Sequence, residues 1–139
     1  MATNSITSVH KGGMNFTTLI DGHSITIDLE KAAGGNDEGT SPKILMLVSL
    51  AGCTGLDVVS LLKKMRTKFS DFTINVEAHL TDVHPRIYDD VTLTYSIKVS
   101  KAHESKVEKA VTLSQDQYCG VSEMFRGFAK LSSKIVFLP

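Results

Sequence analysis

The chain has 139 residues, the size of a single domain with a core of its own. Lysine and arginine total 15, as do aspartate and glutamate, so no strong field would attract nucleic acid or an anionic membrane. The N-terminal segment MATNSITSVHKGG is polar and lacks the apolar core of a signal peptide. We therefore expect one domain over residues 1–139 in the reducing cytoplasm, where its two cysteines stay free or react.

The first thirty residues have the pattern of antiparallel strands. Phe16–Ile20 and Ser24–Leu29 flank Asp21-Gly22, a dipeptide typical of hairpin turns. Ser8–Lys11 is a further candidate strand. Residues 32–40, AAGGNDEGT, are rich in glycine and in polar side chains, which predicts a loop.

Ser41-Pro42 predicts the start of a long central helix, because serine caps a free backbone N–H group and proline fits the first helical position. The stretch Ile44–Leu56 is apolar nearly all the way round, which predicts burial on every side. Asp57 interrupts this stretch and lysines soon follow, so it is too short and too broken for a membrane span. We expect a helix of the protein core.

The second half of the chain predicts two strands, two helices and a last strand. Apolar side chains alternate with polar ones over Ile74–Leu80 and again over Val91–Val99, which is typical of strands. Helices are predicted over about His103–Ser114 and Val121–Lys130, and a strand over Lys134–Leu138. The chain is therefore expected to have an α+β fold, with a long buried central helix between N-terminal antiparallel strands and these elements.

Cys53 and Cys119 are the candidates for chemistry. Cys53 lies too deep in its helix to benefit from the dipole of the first turn, and Gly52 and Gly55 indicate close packing or access to its sulfur. Cys119 precedes a predicted helix, whose free N–H groups would stabilise a thiolate. If the sulfurs meet, a peroxide can oxidise one to a sulfenic acid, which the other converts to a disulfide. The alternative is that both are small buried hydrophobic residues.

The histidines do not predict a metal site. They are scattered, and no two have the spacing of a zinc motif. A cysteine–histidine site would need the tertiary structure to bring distant residues together. We therefore expect no metal and no bound cofactor. The histidines are His10, His23, His79, His84 and His103.

Three stretches carry a resemblance to a known family: SPKILMLVSLAGCTGLDVVSLLKKMR (41–66), HPRIYDDVTLTYSIKV (84–99) and LSQDQYCGVSEMF (113–125). GHSITID (22–28) matches more loosely. The chain resembles the OsmC/Ohr family of thiol-dependent hydroperoxide reductases, and within it the YhfA-like branch. The resemblance implies an intertwined homodimer with active sites at the subunit interface, in which Cys53 is peroxidatic and Cys119 is resolving. It also implies organic hydroperoxides as substrates and recycling by a dithiol or thioredoxin-like reductant.

Two positions depart from the family pattern. The family places an arginine after a Gly-Gly pair in its N-terminal sheet, where it stabilises the thiolate, and this chain has Met14 there. The family also has a glutamate shortly after the helix-opening proline, which orients the arginine, and this chain has Lys43 and Ile44. Lys43 or Arg86 is the candidate replacement for the cation. Without one, the Cys53 thiol is expected to keep its ordinary pKa of roughly 8.5 or a higher one.

Three functions fit these observations. The first is a thiol-dependent peroxidase that uses Cys53 and Cys119. The second is a dimer of the same fold that binds an apolar small molecule at its interface and does no peroxide chemistry, which the missing arginine and glutamate favour. The third, a purely structural dimer, requires a pocket too small for any ligand.

Overall fold

The computed structural model describes residues 2–139, and the chain divides into two compact units between Met46 and Leu47. The first unit contains an antiparallel sheet in the strand order β1–β2–β3, where β1 is Ser8–Gly12, β2 is Asn15–Ile20 and β3 is His23–Ile27. The second contains a mixed sheet in the order β4–β5–β6, where β4 is Ser70–Leu80, β5 is Tyr88–Lys98 and β6 is Lys130–Phe137. The helices are α1 (Pro42–Lys64), α2 (Glu104–Leu113) and α3 (Gly120–Arg126). The predicted α+β class is confirmed, whereas the single domain over residues 1–139 stays a prediction.

The hairpin β2–β3 forms as predicted around Asp21-Gly22. Both turn residues have positive φ, 48° for Asp21 and 83° for Gly22, as a two-residue hairpin turn requires. Thr18 is the buried residue of the three strands. A small sheet that buries so little is marginal in water without a covering surface. Its unit leaves large apolar side chains exposed: Ile6, Val9, Met14, Phe16, Leu19 and Ile25.

The loop after β3 is organised by Asp28, an anchor that sequence analysis missed. The carboxylate is 1% exposed and accepts backbone N–H bonds from Leu29 at 2.7 Å, Glu38 at 3.2 Å and Asn36 at 3.3 Å. Burial raises the pKa of this carboxyl, but the three N–H groups outweigh burial and the pKa is lowered. The glycine-rich segment 32–40 is therefore a loop, as predicted, but an ordered one.

The central helix α1 begins at Pro42, as predicted, and ends at Lys64. Its buried residues are Leu50, Thr54, Val58 and Leu62, all on one face. The prediction of burial on every side is therefore wrong for the single chain, in which one face of α1 is buried. Large apolar side chains of α1 that remain exposed are Ile44, Met46, Val48 and Leu56, at 45%, 43%, 59% and 74%.

By length and composition α1 could also cross a membrane, because the helix continues through Asp57 instead of ending there. This length and composition correct the expectation that the apolar segment is too short and too interrupted by charge for a membrane span. The membrane interpretation is still unsupported, because Leu50, Val58 and Leu62 belong to the same core as β5. A helix that contributes to the core on one face is common in soluble proteins.

The second unit has its core on β5. Its apolar positions alternate as predicted, and Val91, Leu93, Tyr95 and Ile97 are fully buried. Helices α2 and α3 cover this core with Val107, Ala110, Val111 and Phe125. The C-terminal boundaries differ from the prediction, since α3 ends at Arg126 and β6 already begins at Lys130. Parallel pairing with β5, from Asp90↔Lys130 to Ile97↔Phe137, extends β6 beyond its own apolar pattern.

The two glycines around Cys53 differ in what surrounds them. A Cβ added at Gly52 would have nothing within 4 Å, whereas one at Gly55 would lie 3.1 Å from Ile74 Cδ1. We expect Gly52→Ala to raise the free energy of unfolding by up to about 1 kcal/mol, because alanine favours the helix. Gly55→Ala should gain less, because Ile74 must shift. Urea unfolding at matched protein concentration measures both. A destabilised Gly52→Ala would contradict this and indicate a further surface packed on Gly52.

Candidate thiol site

The structure brings the two predicted cysteines together. Cys53 is partly buried on α1, and Cys119 is 3% exposed at the N-cap of α3. Their sulfurs lie within 4.8 Å of each other, and both thiols are free. The sequence spacing did not indicate this distance.

Both sulfurs accept backbone N–H groups from the first turn of α3. Ser122 N–H donates to Cys119 Sγ at 3.3 Å, and Val121 N–H donates to the Cys53 sulfur. The sequence predicts this effect for Cys119 only, because Cys53 lies deep in its own helix and its neighbours in the fold are distant in sequence. N–H groups at a helix start favour the thiolate form of cysteine. Helix α3 thus provides Cys53 with the N–H donor that α1 does not.

The pKa of Cys53 is nevertheless raised. Burial raises the pKa most and the hydrogen bond with Cys119 raises it further, while the Val121 N–H lowers it. The charges of Cys119 and Asp57 also raise this pKa. None of these groups is positive, so the replacement cation sought in Lys43 or Arg86 is not among them. Lys43 lies in the first turn of α1, Arg86 is exposed before β5, and Met14 is exposed in the turn before β2.

A buried hydrogen-bond network lies next to the cysteines, and sequence analysis missed it. Thr54 Oγ1 shares hydrogen bonds with Tyr95 OH at 2.6 Å and with Ser114 Oγ at 2.8 Å. Gln115 Nε2 lies 3.2 Å from Thr54 Oγ1, 3.0 Å from Tyr95 OH and 3.1 Å from Ser122 Oγ. The network joins α1, β5 and α3, and it holds the backbone beside both cysteines. Its partners are distant in sequence, so no local pattern indicates them.

A π-helical turn, Ser114–Tyr118, places Cys119. The Cys119 N–H donates to Ser114 O at 2.7 Å, and the Arg126 guanidinium donates to Gln115 O. The sequence pattern predicts that one helix ends at about Ser114 and the next begins at Val121, but it does not indicate the wide turn between them. Such turns are often found at functional sites.

Asp57 is a third member of the site. A carboxylate oxygen of Asp57 lies within 4.8 Å of both sulfurs, and Ser114 Oγ donates to Asp57 Oδ2 at 2.9 Å. In the sequence, Asp57 stands out only as an interruption of the apolar stretch. Its position four residues after Cys53 places both side chains on one face of α1, which is the signal that could have found it.

Two surface depressions adjoin this part of α1. The depression next to Gly52 and Gly55 is apolar and has a volume of about 520 Å³. A more polar one of about 320 Å³ includes Asp57, Lys64 and Tyr118. The apolar depression is lined by Val48, Ala51, Gly52, Gly55, Leu56, Val59, Phe72 and Ile74.

The raised pKa of Cys53 predicts how its reactivity depends on pH. The rate of alkylation at Cys53 should rise with pH through an inflection above the ordinary thiol value, because the thiolate is disfavoured in the folded chain. The measurement is iodoacetamide labelling of reduced protein with a chelator present, followed by mass analysis of the Cys53 peptide. Glutathione labelled in parallel provides the reference. An inflection below that of glutathione would contradict the prediction and would require a cation near Cys53.

The chain is similar in sequence and in structure to known proteins. The family described as OsmC-like protein matches residues 34–134, a segment that contains both cysteines. Protein YhfA of Escherichia coli (strain K12) is 29% identical over 103 residues, which is 74% of each chain. A hypothetical protein from Aquifex aeolicus VF5 is similar over 100% of both chains, with 27% identity and a TM-score of 0.80. An organic hydroperoxide resistance protein from Elizabethkingia anophelis shares the fold over 99% of both chains, with 19% identity and a TM-score of 0.68.

Proposed function

Since this chain belongs to the OsmC-like family, we propose that it is a thiol-dependent peroxidase that reduces organic hydroperoxides in the cytoplasm. Cys53 is the peroxidatic nucleophile and Cys119 is the resolving cysteine. The observation that carries the proposal is the approach of the two sulfurs to within 4.8 Å in one chain. The name of the Elizabethkingia neighbour, which shares the fold, supports the same substrate class.

The reaction proceeds in two steps on these sulfurs. The Cys53 thiolate attacks a peroxide oxygen, so that an S–O bond forms, the O–O bond breaks and the alcohol leaves after taking a proton. The Cys119 thiolate then attacks the Cys53 sulfenic acid, forming the disulfide and releasing water. One hydroperoxide and two thiols thus give one alcohol, one water and one disulfide. An external dithiol or thioredoxin-like protein restores both thiols by exchange.

The local geometry suits the second step. A disulfide needs an S–S distance of about 2.05 Å, so the sulfurs have to approach by less than about 3 Å. Cys119 lies between the π-helical turn and the start of α3, and Gly120 follows it. Its backbone N–H and C=O are bonded to Ser114 and Glu123, so rotation of the cysteine side chains is the simplest route to contact.

The working form in this proposal is a homodimer. The first unit and α1 expose large apolar side chains that a second copy of the chain would cover, such as Phe16, Leu19, Val48 and Leu56. Exposed large apolar side chains in such numbers mark interaction sites. None of the groups that act on the Cys53 thiol in the single chain is positive. A second copy of the chain can supply a positive charge at this site.

The thiol state after peroxide treatment tests the proposed function. Reduced protein is mixed with one equivalent of cumene hydroperoxide, and its intact mass is measured under denaturing conditions with and without alkylation. We expect rapid loss of both free thiols and a mass decrease of about two hydrogens, which correspond to a Cys53–Cys119 disulfide. Two thiols that both remain alkylatable would contradict peroxidase activity.

The second candidate is a dimer that binds an apolar small molecule. The apolar depression of about 520 Å³ beside Gly52 favours it, since small-molecule sites commonly have about 300–1,000 Å³. The same volume counts against a purely structural dimer. A carboxylate or lipid ligand retained through purification, together with thiols inert to peroxide, is the result that would support this alternative.

A further inference from the structure

We propose that the reduced thiol site binds a thiophilic divalent cation, Zn²⁺ in the first instance, through Cys53 Sγ, Cys119 Sγ and an Asp57 carboxylate oxygen. The three candidate ligand atoms lie within 4.8 Å of one another. Cys53 and Asp57 are four residues apart on one face of α1, and Cys119 joins them from the start of α3. Two ligands thus come from one rigid helix and the third from a separate element.

The distances are close to those of a metal centre. With Zn–S bonds of about 2.3 Å in a tetrahedron, two coordinating sulfurs are about 3.8 Å apart. The ligand atoms therefore need to approach by no more than about 1 Å. Rotation of the three side chains about their χ angles can supply that movement.

The donor set selects the kind of cation. Two thiolates and one carboxylate suit Zn²⁺ and its thiophilic substitutes Co²⁺ and Cd²⁺. Mg²⁺ and Ca²⁺ prefer sets made of oxygen ligands, so they should not compete. Coordination releases two thiol protons to solvent, and the cation then balances most of the charge of the two thiolates and the carboxylate.

The groups around the ligands already orient them. Ser114 Oγ donates to Asp57 Oδ2, Ser122 N–H donates to Cys119 Sγ and Val121 N–H donates to the Cys53 sulfur. Hydrogen bonds of this kind hold metal ligands in position and strengthen binding. Asp57 also lines the depression of about 320 Å³, from which water can reach the fourth coordination position.

One consequence rests on the proposed function: the cation and the hydroperoxide compete for the same sulfurs. Coordinated thiolates are less available for attack on a peroxide. Oxidation of the site consumes two thiolates, one hydroperoxide and two protons, and gives a disulfide, an alcohol, water and the free cation. The disulfide form has no thiolate left for the metal. Cation binding would therefore hold the enzyme in a reduced and inactive form.

Cobalt titration of the reduced whole chain tests the proposal. The protein is kept reduced with a phosphine, Co²⁺ is added and the thiolate-to-cobalt charge-transfer absorption is followed, after which Zn²⁺ is added as competitor. We expect saturation at one Co²⁺ per chain and loss of the band on displacement by Zn²⁺. Cys53→Ser and Cys119→Ser should each weaken the band strongly.

Asp57→Asn is the decisive variant, because asparagine still accepts the Ser114 hydrogen bond while losing the charge. We expect its affinity for Co²⁺ to fall at least tenfold. Asp116→Asn, which removes an exposed carboxylate from the neighbouring turn, should bind as the wild type does. Absence of a charge-transfer band at stoichiometric Co²⁺, or wild-type affinity in Asp57→Asn, would overturn the proposal. Peroxide consumption by the metal-free protein reports separately on the proposed function, so the two failures are distinguishable.

Discussion

Cys53→Ser should abolish the consumption of tert-butyl hydroperoxide, with a fall in rate of about a thousandfold or more, which is roughly 4 kcal/mol of transition-state stabilisation. The reason is chemical, since a serine hydroxyl is a weak nucleophile unless a general base activates it. The groups that act on Cys53 are Cys119, Asp57 and the Val121 N–H. None of them is a histidine, and a carboxylate such as Asp57 is a far weaker base than a serine alkoxide, so it activates a serine hydroxyl poorly. The measurement is the rate of peroxide loss with a dithiol in excess.

Cys53→Ser should change the fold little, so a loss of the peroxide-consumption rate would reflect the missing thiol rather than a damaged structure. A serine hydroxyl can still accept the Val121 N–H, and urea unfolding of the variant verifies its stability. Ser133→Ala, an exposed substitution on β6, is a control that should consume peroxide as the wild type does. Peroxide consumption by Cys53→Ser at the wild-type rate would end the peroxidase proposal.

Cys119→Ser should allow one turnover and then stop. Without added thiol, each chain is expected to consume one equivalent of hydroperoxide and to keep Cys53 as a sulfenic acid, because the thiol that would condense with it is missing. Dimedone labelling and intact mass detect that acid. Serine is also a preferred N-cap residue, so the start of α3 should be maintained.

Cys53→Ser treated in the same way is the matched control and should take no dimedone label. Continued turnover by Cys119→Ser in the absence of external thiol would assign resolution to another group, such as a thiol of a second chain. A label on Cys119 in the wild type, with none on Cys53, would reverse the two proposed roles.

The sequence alone determined the elements whose signals are local. The turn at Asp21-Gly22, the start of α1 at Pro42 and the alternation along β5 each depend on residues only a few positions apart. Turn geometry, capping and side-chain period are properties of short segments, and they can be read without knowing the rest of the fold. Both cysteines could be singled out for the same reason, from the residues that flank them.

The arrangement of the residues in the site depends on the tertiary structure. It places Val121 N–H on Cys53 and Asp57 beside both sulfurs, and it bonds Thr54 to Tyr95 and Ser114, which are 41 and 60 positions away. It also decides that β6 pairs in parallel with β5 and so begins earlier than its own pattern indicates. These contacts join residues from different elements, and the packing of those elements sets their distances. The two thiols were therefore visible in the sequence, while the environment that controls the pKa of Cys53 exists only in the folded chain.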